Sequence, residues 1–270
     1  MNFHSDEWIM ERLQEHYNEA LQYFPADRIV CLILQGSQNY QLDTKDSDID
    51  TKLIVTPTLD DIIFARKPIS TTHIRDNDEH IDCKDLRLMF GTYRKQNLNF
   101  VETLFSKYNI VNPLYADEWN LLIQHNESIA RYSPVAAVRT MKGIAMEKYH
   151  AMEHRYPSKA EIVDKYGFDS KQLHHLLRVE EYLKRYINGE PYADCLISKQ
   201  AEYLKNVKTH GYYTLDEART VANESLQRVC EMADKFRDDH VEEVNEGVDV
   251  LLDAVQRNIM MIAIEKEVNK

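Results

Sequence analysis

Gln35-Gly36-Ser37, followed by Asp46-Ser47-Asp48-Ile49-Asp50, decides how this chain is read. The pattern is Gly-Ser, ten residues, then Asp-x-Asp. Before it, Ile29-Val30-Cys31-Leu32-Ile33-Leu34 is apolar and β-branched, as a buried strand requires. After it, Thr51-Lys52-Leu53-Ile54-Val55 continues as a second strand. Residues two apart on a strand share a face, so Asp48 and Asp50 project together while Ile49 enters the core. Two hard oxygen ligands on one face suit Mg²⁺, which takes one or two carboxylates plus substrate phosphates. A small turn ending one strand, beside paired carboxylates on the next, predicts a site for a metal-bound nucleoside triphosphate. The plainer alternative is an Asp- and Ser-rich loop that merely turns the chain.

The Gly-Ser and Asp-x-Asp pattern resembles the nucleotidyltransferases of the DNA polymerase β superfamily. That resemblance implies a third carboxylate on a neighbouring strand. In Glu79-His80-Ile81-Asp82-Cys83-Lys84-Asp85-Leu86, Asp82 is the better match, because Ile81 and Cys83 beside it would face the core. Asp85 competes, but it also suits the first turn of a following helix, where the macrodipole favours an acid.

Two further blocks are similar to the YcgL-like predicted nucleotidyltransferases of bacteria and phages. Asn97-Leu98-Asn99-Phe100-Val101-Glu102-Thr103-Leu104-Phe105 resembles their Asn-Pro-Asn-Val-Leu-Glu-x-Leu-Phe block, with Leu98 in place of Pro. Tyr166 to Arg178 resembles their Tyr-Asp-x-Lys-x-x-x-His-x-x-Arg block, and Asn188-Gly189-Glu190 their Gly-Glu end. Asp169 or Ser170 can cap a helix starting at Lys171. Lys171, His175 and Arg178 then fall at i, i+4 and i+7 on one helical face. Three donors so placed suit phosphate oxygens, Arg as a planar fork and Lys as a point charge. A solvated basic face, or a packed His175, is the bland reading. His174 points about 100° away from His175. Glu102 reads either as an orienting group for a nearby Lys or Arg or as half of a buried ion pair.

The resemblance implies nucleotidyl transfer. Asp48 and Asp50 would hold Mg²⁺ on the triphosphate, and a second ion shared by Asp82 would activate an attacking hydroxyl; Mn²⁺ could substitute. Gly36 and Ser37 would receive the terminal phosphates, and Lys171, His175 and Arg178 would neutralise the leaving pyrophosphate. The acceptor is open: RNA or a nucleotide first, a small molecule, or a partner protein receiving AMP in a toxin–antitoxin or phage-defence setting. A non-catalytic nucleotide-binding protein is the remaining alternative.

Composition agrees with a folded chain of two domains. There are 270 residues, with 43% hydrophobic and only seven Gly and seven Pro, which leaves little room for long linkers. The net charge of −12 argues against broad non-specific nucleic-acid binding, which needs a basic footprint. No apolar run approaches ~20 residues, so no membrane span is expected. The first residues lack the basic and apolar regions of a signal peptide. Cys31, Cys83, Cys195 and Cys230 are widely spaced without a Cys-x-x-Cys pair, so free thiols in the cytoplasm are expected.

The expected fold is α+β. A polymerase-β-like nucleotidyltransferase domain, a mixed sheet with flanking helices, spans residues 1–130, and a helical domain closing the nucleotide cleft spans 131–270. Periodicity predicts a helix over 6–24 with a stripe of Trp8, Ile9, Leu13, Tyr17 and Leu21. Strands are predicted at 28–35, 49–56, 71–75 and 79–84, and a short helix at 59–65. Beyond 85 the reading is helical throughout, including 99–107, 194–206 and 240–266.

Overall fold

The computed structural model describes residues 2–269. Along the chain run α1 (Asp6–Tyr23), β1 (Ile29–Gln35), β2 (Asp50–Val55), α2 (Leu59–Ile63), β3 (Ser70–Ile74), β4 (His80–Asp85), α3 (Leu86–Arg94) and α4 (Leu98–Val101). Then follow β5 (Asn109–Val111), α5 (Ala116–Gln124), α6 (Asn126–Ala130), α7 (Pro134–Met152), α8 (Ala160–Tyr166) and α9 (Ser170–Ile187). The chain finishes with α10 (Tyr192–Leu196), α11 (Ala201–Lys208), α12 (Leu215–Asp239) and α13 (Glu246–Val268). The fold is α+β, with a mixed five-stranded sheet and a large helical part.

Two compact units emerge. The first holds the residues up to Asn39, Asp43–Tyr132 and those from Val244 onward. The second holds Tyr40–Leu42 and Ser133–Glu243.

In the first unit the strand order is β3-β4-β2-β1-β5. β1 runs antiparallel to both β2 and β5, and β2 runs parallel to β4. β1 lies inside the sheet and is buried on both faces from Ile29 to Leu34, which is why its sequence is continuously apolar rather than alternating. β4 alternates instead, with Ile81, Cys83 and Asp85 buried and His80, Asp82 and Lys84 half-buried. β3 and β4 form a hairpin whose turn places Asp78 at φ 63°, a conformation Asp tolerates better than most residues.

α1 begins at Ser5, whose hydroxyl accepts from the Trp8 amide, with Asp6 and Glu7 in its first turn. Its buried positions are Ile9, Leu13, His16 and Ala20, spaced four, three and four. The expected stripe is thus shifted: Leu21 is exposed, and a polar residue, His16, takes a core position because it has buried partners. The expected helix over 99–107 is shorter, a single α-turn and a 3₁₀ turn (Glu102–Phe105), and β5 follows on the sheet edge. α13 packs on the first unit, where Leu252, Val255 and Ile259 are buried and Arg94 reaches Asp249 at 2.6 Å. The helical domain expected over 131–270 includes this helix, whereas it groups with the first unit.

In the second unit α9 is the central helix, with α7, α11 and α12 packed on it. Its buried residues include Leu173, Leu176, Leu177, Val179, Tyr182, Leu183 and Tyr186. The stretch read as one helix over 194–206 divides into α10 and α11. Glu181 holds the break, accepting from the Ser198 hydroxyl and, at 2.7 Å, from the Lys199 amide.

Candidate functional site

The antiparallel register of β1 and β2 pairs Gln35 with Asp50. The Gly36-Ser37 turn therefore leaves β1 beside the point where Asp48-Ile49-Asp50 enters β2. Gly36 has φ 136°, a backbone conformation that side chains disfavour, and a Cβ there would meet the Gln38 side-chain oxygen at 3.3 Å. Ser37 opens a 3₁₀ turn that ends at Tyr40.

Local hydrogen bonds fasten the two segments together. The buried Gln38 side chain donates to the Asp48 carbonyl at 2.8 Å, and the Ser37 hydroxyl donates to Ser47 Oγ at 3.4 Å. Ser47 Oγ also accepts from the Thr44 amide at 2.9 Å. Ile49 is fully buried, so the flanking Asp48 and Asp50 side chains turn outward, as strand alternation requires. Asp48 is exposed. Asp50 is half-buried and accepts from the His80 amide at 3.0 Å, with His80 Nδ1 at 3.3 Å.

The third carboxylate differs from the expectation in its surroundings. Parallel pairing of β2 with β4 sets Lys52 opposite Asp82, and alternation places Lys52 on the face that carries Asp50. Asp82 Oδ2 accepts from Lys52 Nζ at 2.7 Å. Asp82 Oδ1 lies 2.9 Å from Lys84 Nζ and accepts from the Thr72 hydroxyl at 3.3 Å. Burial pulls the Asp82 carboxyl upward, but Lys52 and Lys84 outweigh it and hold it below its ordinary value. Asp85 belongs to the opposite, buried face. It caps α3 through the Arg87 amide at 2.9 Å and takes the Arg87 guanidinium in a bidentate pair at 2.9 and 2.7 Å. Among the described residues, no three or more His, Cys, Asp or Glu side chains gather as a ready metal cluster. The donor set that fits a hard cation is the pair Asp48 and Asp50, which leaves coordination positions for phosphate oxygens.

Lys52 was not singled out by sequence reasoning, yet it is 1% exposed. Burial draws its pKa below the ordinary lysine value, against the pull of Asp82 and Glu102. The Phe100 ring covers its ammonium at 4.1 Å from the centroid. The Asn97–Phe105 block thus supplies both a ring and, in the buried Glu102, a negative charge near this amine. The signal available in sequence was the spacing Asp48-x-Asp50-x-Lys52, which puts a cation two residues beyond the carboxylates on the same face.

Glu79 is the other residue that motif spacing missed. It is buried, and its Oε1 accepts from the Ile49 amide at 3.3 Å, between the two site aspartates. Its Oε2 takes Arg12, Arg75 at 2.8 Å and the buried His16 at 2.9 Å. Burial pushes the Glu79 carboxyl upward; hydrogen bonds from His16, Asn77 and Arg12 reverse that and hold it far below the carboxylate range.

In the second unit, Asp169 caps α9 by accepting from the Lys171 amide at 2.9 Å. Lys171 is exposed, and His175 and Arg178 are half-buried. The Arg178 guanidinium stacks on Tyr40, 3.5 Å from the ring centroid. His174 is buried and donates Nδ1–H to the Leu204 carbonyl at 2.8 Å; burial brings its pKa down to about 4. His175 is also held well below the usual imidazole value, by burial first and then by His174, Arg178, Lys171 and Lys148. The triad of possible cations read from sequence therefore contains two cations and a neutral imidazole at neutral pH.

No protein family matches the chain, and no curated protein matches it. Among solved structures it is similar to a nucleotidyltransferase-like protein from Exiguobacterium sibiricum, at 12% identity, with 84% of this chain and 75% of that chain covered and a TM-score of 0.31.

Proposed function

We propose that this chain transfers a nucleoside monophosphate from a nucleoside triphosphate to a hydroxyl acceptor, most simply on RNA or a nucleotide, with release of pyrophosphate. The observation that carries the reading is the β1–β2 register. It brings a turn that only glycine enters without strain alongside two outward carboxylates, one of them exposed. Gly36 lets backbone approach phosphate closely, and Ser37 offers a hydroxyl. Asp48 and Asp50 would hold the divalent cation, Mg²⁺ or Mn²⁺. When bound, that ion supplies positive charge to the triphosphate oxygens and offsets the charge that builds on the leaving pyrophosphate. Asp50 is oriented by the His80 amide, and the Asp48–Asp50 backbone is braced by Gln38 and Glu79. On the second unit, Lys171, His175 and Arg178 would be phosphate-binding donors on one helical face, His175 as a neutral donor.

The test is incubation of the purified chain with each α-³²P nucleoside triphosphate, Mg²⁺ and a cell extract. Label is expected on a macromolecule or nucleotide. Asp48→Asn with Asp50→Asn should reduce it by about 10²–10³-fold or more, since charge stabilisation at the reacting phosphate is lost. RNA, nucleotide or protein as the labelled species identifies the acceptor, and labelled protein would favour AMP transfer to a partner. Triphosphate binding without any pyrophosphate release would overturn transfer and leave a nucleotide-binding protein.

A further inference from the structure

We infer that Lys52 is a built-in cation at the third carboxylate, so that this site takes one divalent ion rather than two. The inference rests on the metal–triphosphate reading above and concerns how many ions that site holds. Three observations carry it. Both oxygens of Asp82 are engaged, Oδ2 by Lys52 at 2.7 Å and Oδ1 by Lys84 at 2.9 Å and Thr72 at 3.3 Å. Lys52 cannot swing aside into water, because it is 1% exposed and roofed by Phe100 at 4.1 Å. Moving it would strip a buried ammonium of its partner carboxylate, which is costly. Finally, the register that pairs Lys52 with Asp82 is the sheet's own β2–β4 ladder, so the contact is built into the backbone rather than chosen by a mobile side chain.

Charge balance points the same way. Asp48 and Asp50 together match one divalent ion, whereas Asp82 already faces two ammonium groups. A second divalent ion at Asp82 would sit against both lysines. A fixed ammonium gives the site positive charge beside Asp50 with no ion to dehydrate, which Mg²⁺ does reluctantly.

The test counts ions by electron paramagnetic resonance of Mn²⁺, using the full chain saturated with the α,β-methylene analogue of ATP. One Mn²⁺ per chain is expected in addition to free Mn²⁺–nucleotide, with the spectrum of an isolated ion. Asp48→Asn with Asp50→Asn should abolish it. The neutral pair Lys52→Met with Asp82→Asn should leave the count at one, because neither residue is a ligand. Two spin-coupled Mn²⁺ ions in the wild-type chain, at the ~3.5–4 Å separation of two-metal sites, would overturn the inference, as would a single ion lost in the Lys52/Asp82 pair variant. Absence of any bound Mn²⁺ in the wild type would instead overturn the metal–triphosphate reading itself. The wild-type count decides the matter even if the double variant fails to fold.

Discussion

Glu79 is the side chain against which the site's backbone leans. It accepts from the Ile49 amide on one oxygen and from Arg12, Arg75 and His16 on the other. His16 in turn reaches Thr51 Oγ1 at 2.9 Å, so α1, the hairpin turn and β2 meet through one carboxylate. Removing it takes the shared acceptor from the Ile49 amide, the buried His16 and two half-buried guanidinium groups, which keep the exposed Glu15 and the half-buried Glu19. Glu79→Ala should therefore cost about 3–5 kcal/mol in urea unfolding, and Glu79→Gln less, since its shape and part of its hydrogen bonding survive. The sign with pH follows from the direction of its shift. A depressed carboxyl pKa stabilises above the ordinary glutamate value, and that stabilisation fades as pH falls below it. The gap between wild type and Glu79→Gln should be full above about pH 5 and narrow below about pH 4. A gap that stays constant from pH 7 to 3 would contradict the ionised role.

At the scale of the element, α9 shows how a helix that reads as amphipathic can bury polar groups. His174 lies on its buried side and spends Nδ1–H on the Leu204 carbonyl in the middle of α11. Its folded pKa of about 4 lies below the ordinary imidazole value. Stability from this group is thus present above about pH 6.5 and is lost as pH falls towards 4, because the unfolded chain takes up the proton first. The stability lost across that range is on the order of 3 kcal/mol. His174→Gln should be less stable at pH 7.5 yet show a flatter slope between pH 6.5 and 4.5, measured by chemical denaturation. An identical slope would remove His174 as the source. His175, one position on, is also neutral at neutral pH, so its part in any phosphate contact would be that of a donor.

Across the whole molecule, the chain's last helix belongs with its first strands. α13 buries Val248, Leu252, Val255 and Ile259 in the first unit, and Arg94 ties it through Asp249 and Asp253 at 2.6 and 2.5 Å. The Asn245 amide donates to the Tyr132 carbonyl at 2.8 Å just before it. Ile259→Ala should cost about 2–5 kcal/mol, the usual range for emptying a fully packed aliphatic site. Deleting 244–270 should destabilise the unit that carries Asp48 and Asp50, seen as early loss of the sheet's amide protection in hydrogen exchange. Unchanged protection of β1 and β2 after that deletion would contradict the grouping. Among the described residues no helix is long and apolar enough to cross a membrane.

Much of this was legible in residue order because local chemistry is written locally. The apolar run 29–34, the Gly-Ser turn and the alternation around Ile49 determine a buried strand, a tight exit and two outward carboxylates without reference to anything distant. Helix starts at Ser5, Asp85 and Asp169 follow from the side chains themselves. The face of Asp82 also follows from strand period, since Ile81 and Cys83 enter the core on either side. What tertiary structure alone decided are the partners. Whether Asp82 meets metal or lysine depends on the parallel β2–β4 register, which joins residues 30 positions apart. Phe100 over Lys52, Glu79 under Ile49 and α13 beside α3 likewise arise from segments distant in sequence. Periodicity reports which face of an element is apolar, but not which element will cover it. Here that second choice set a buried lysine against the residue read as the third carboxylate.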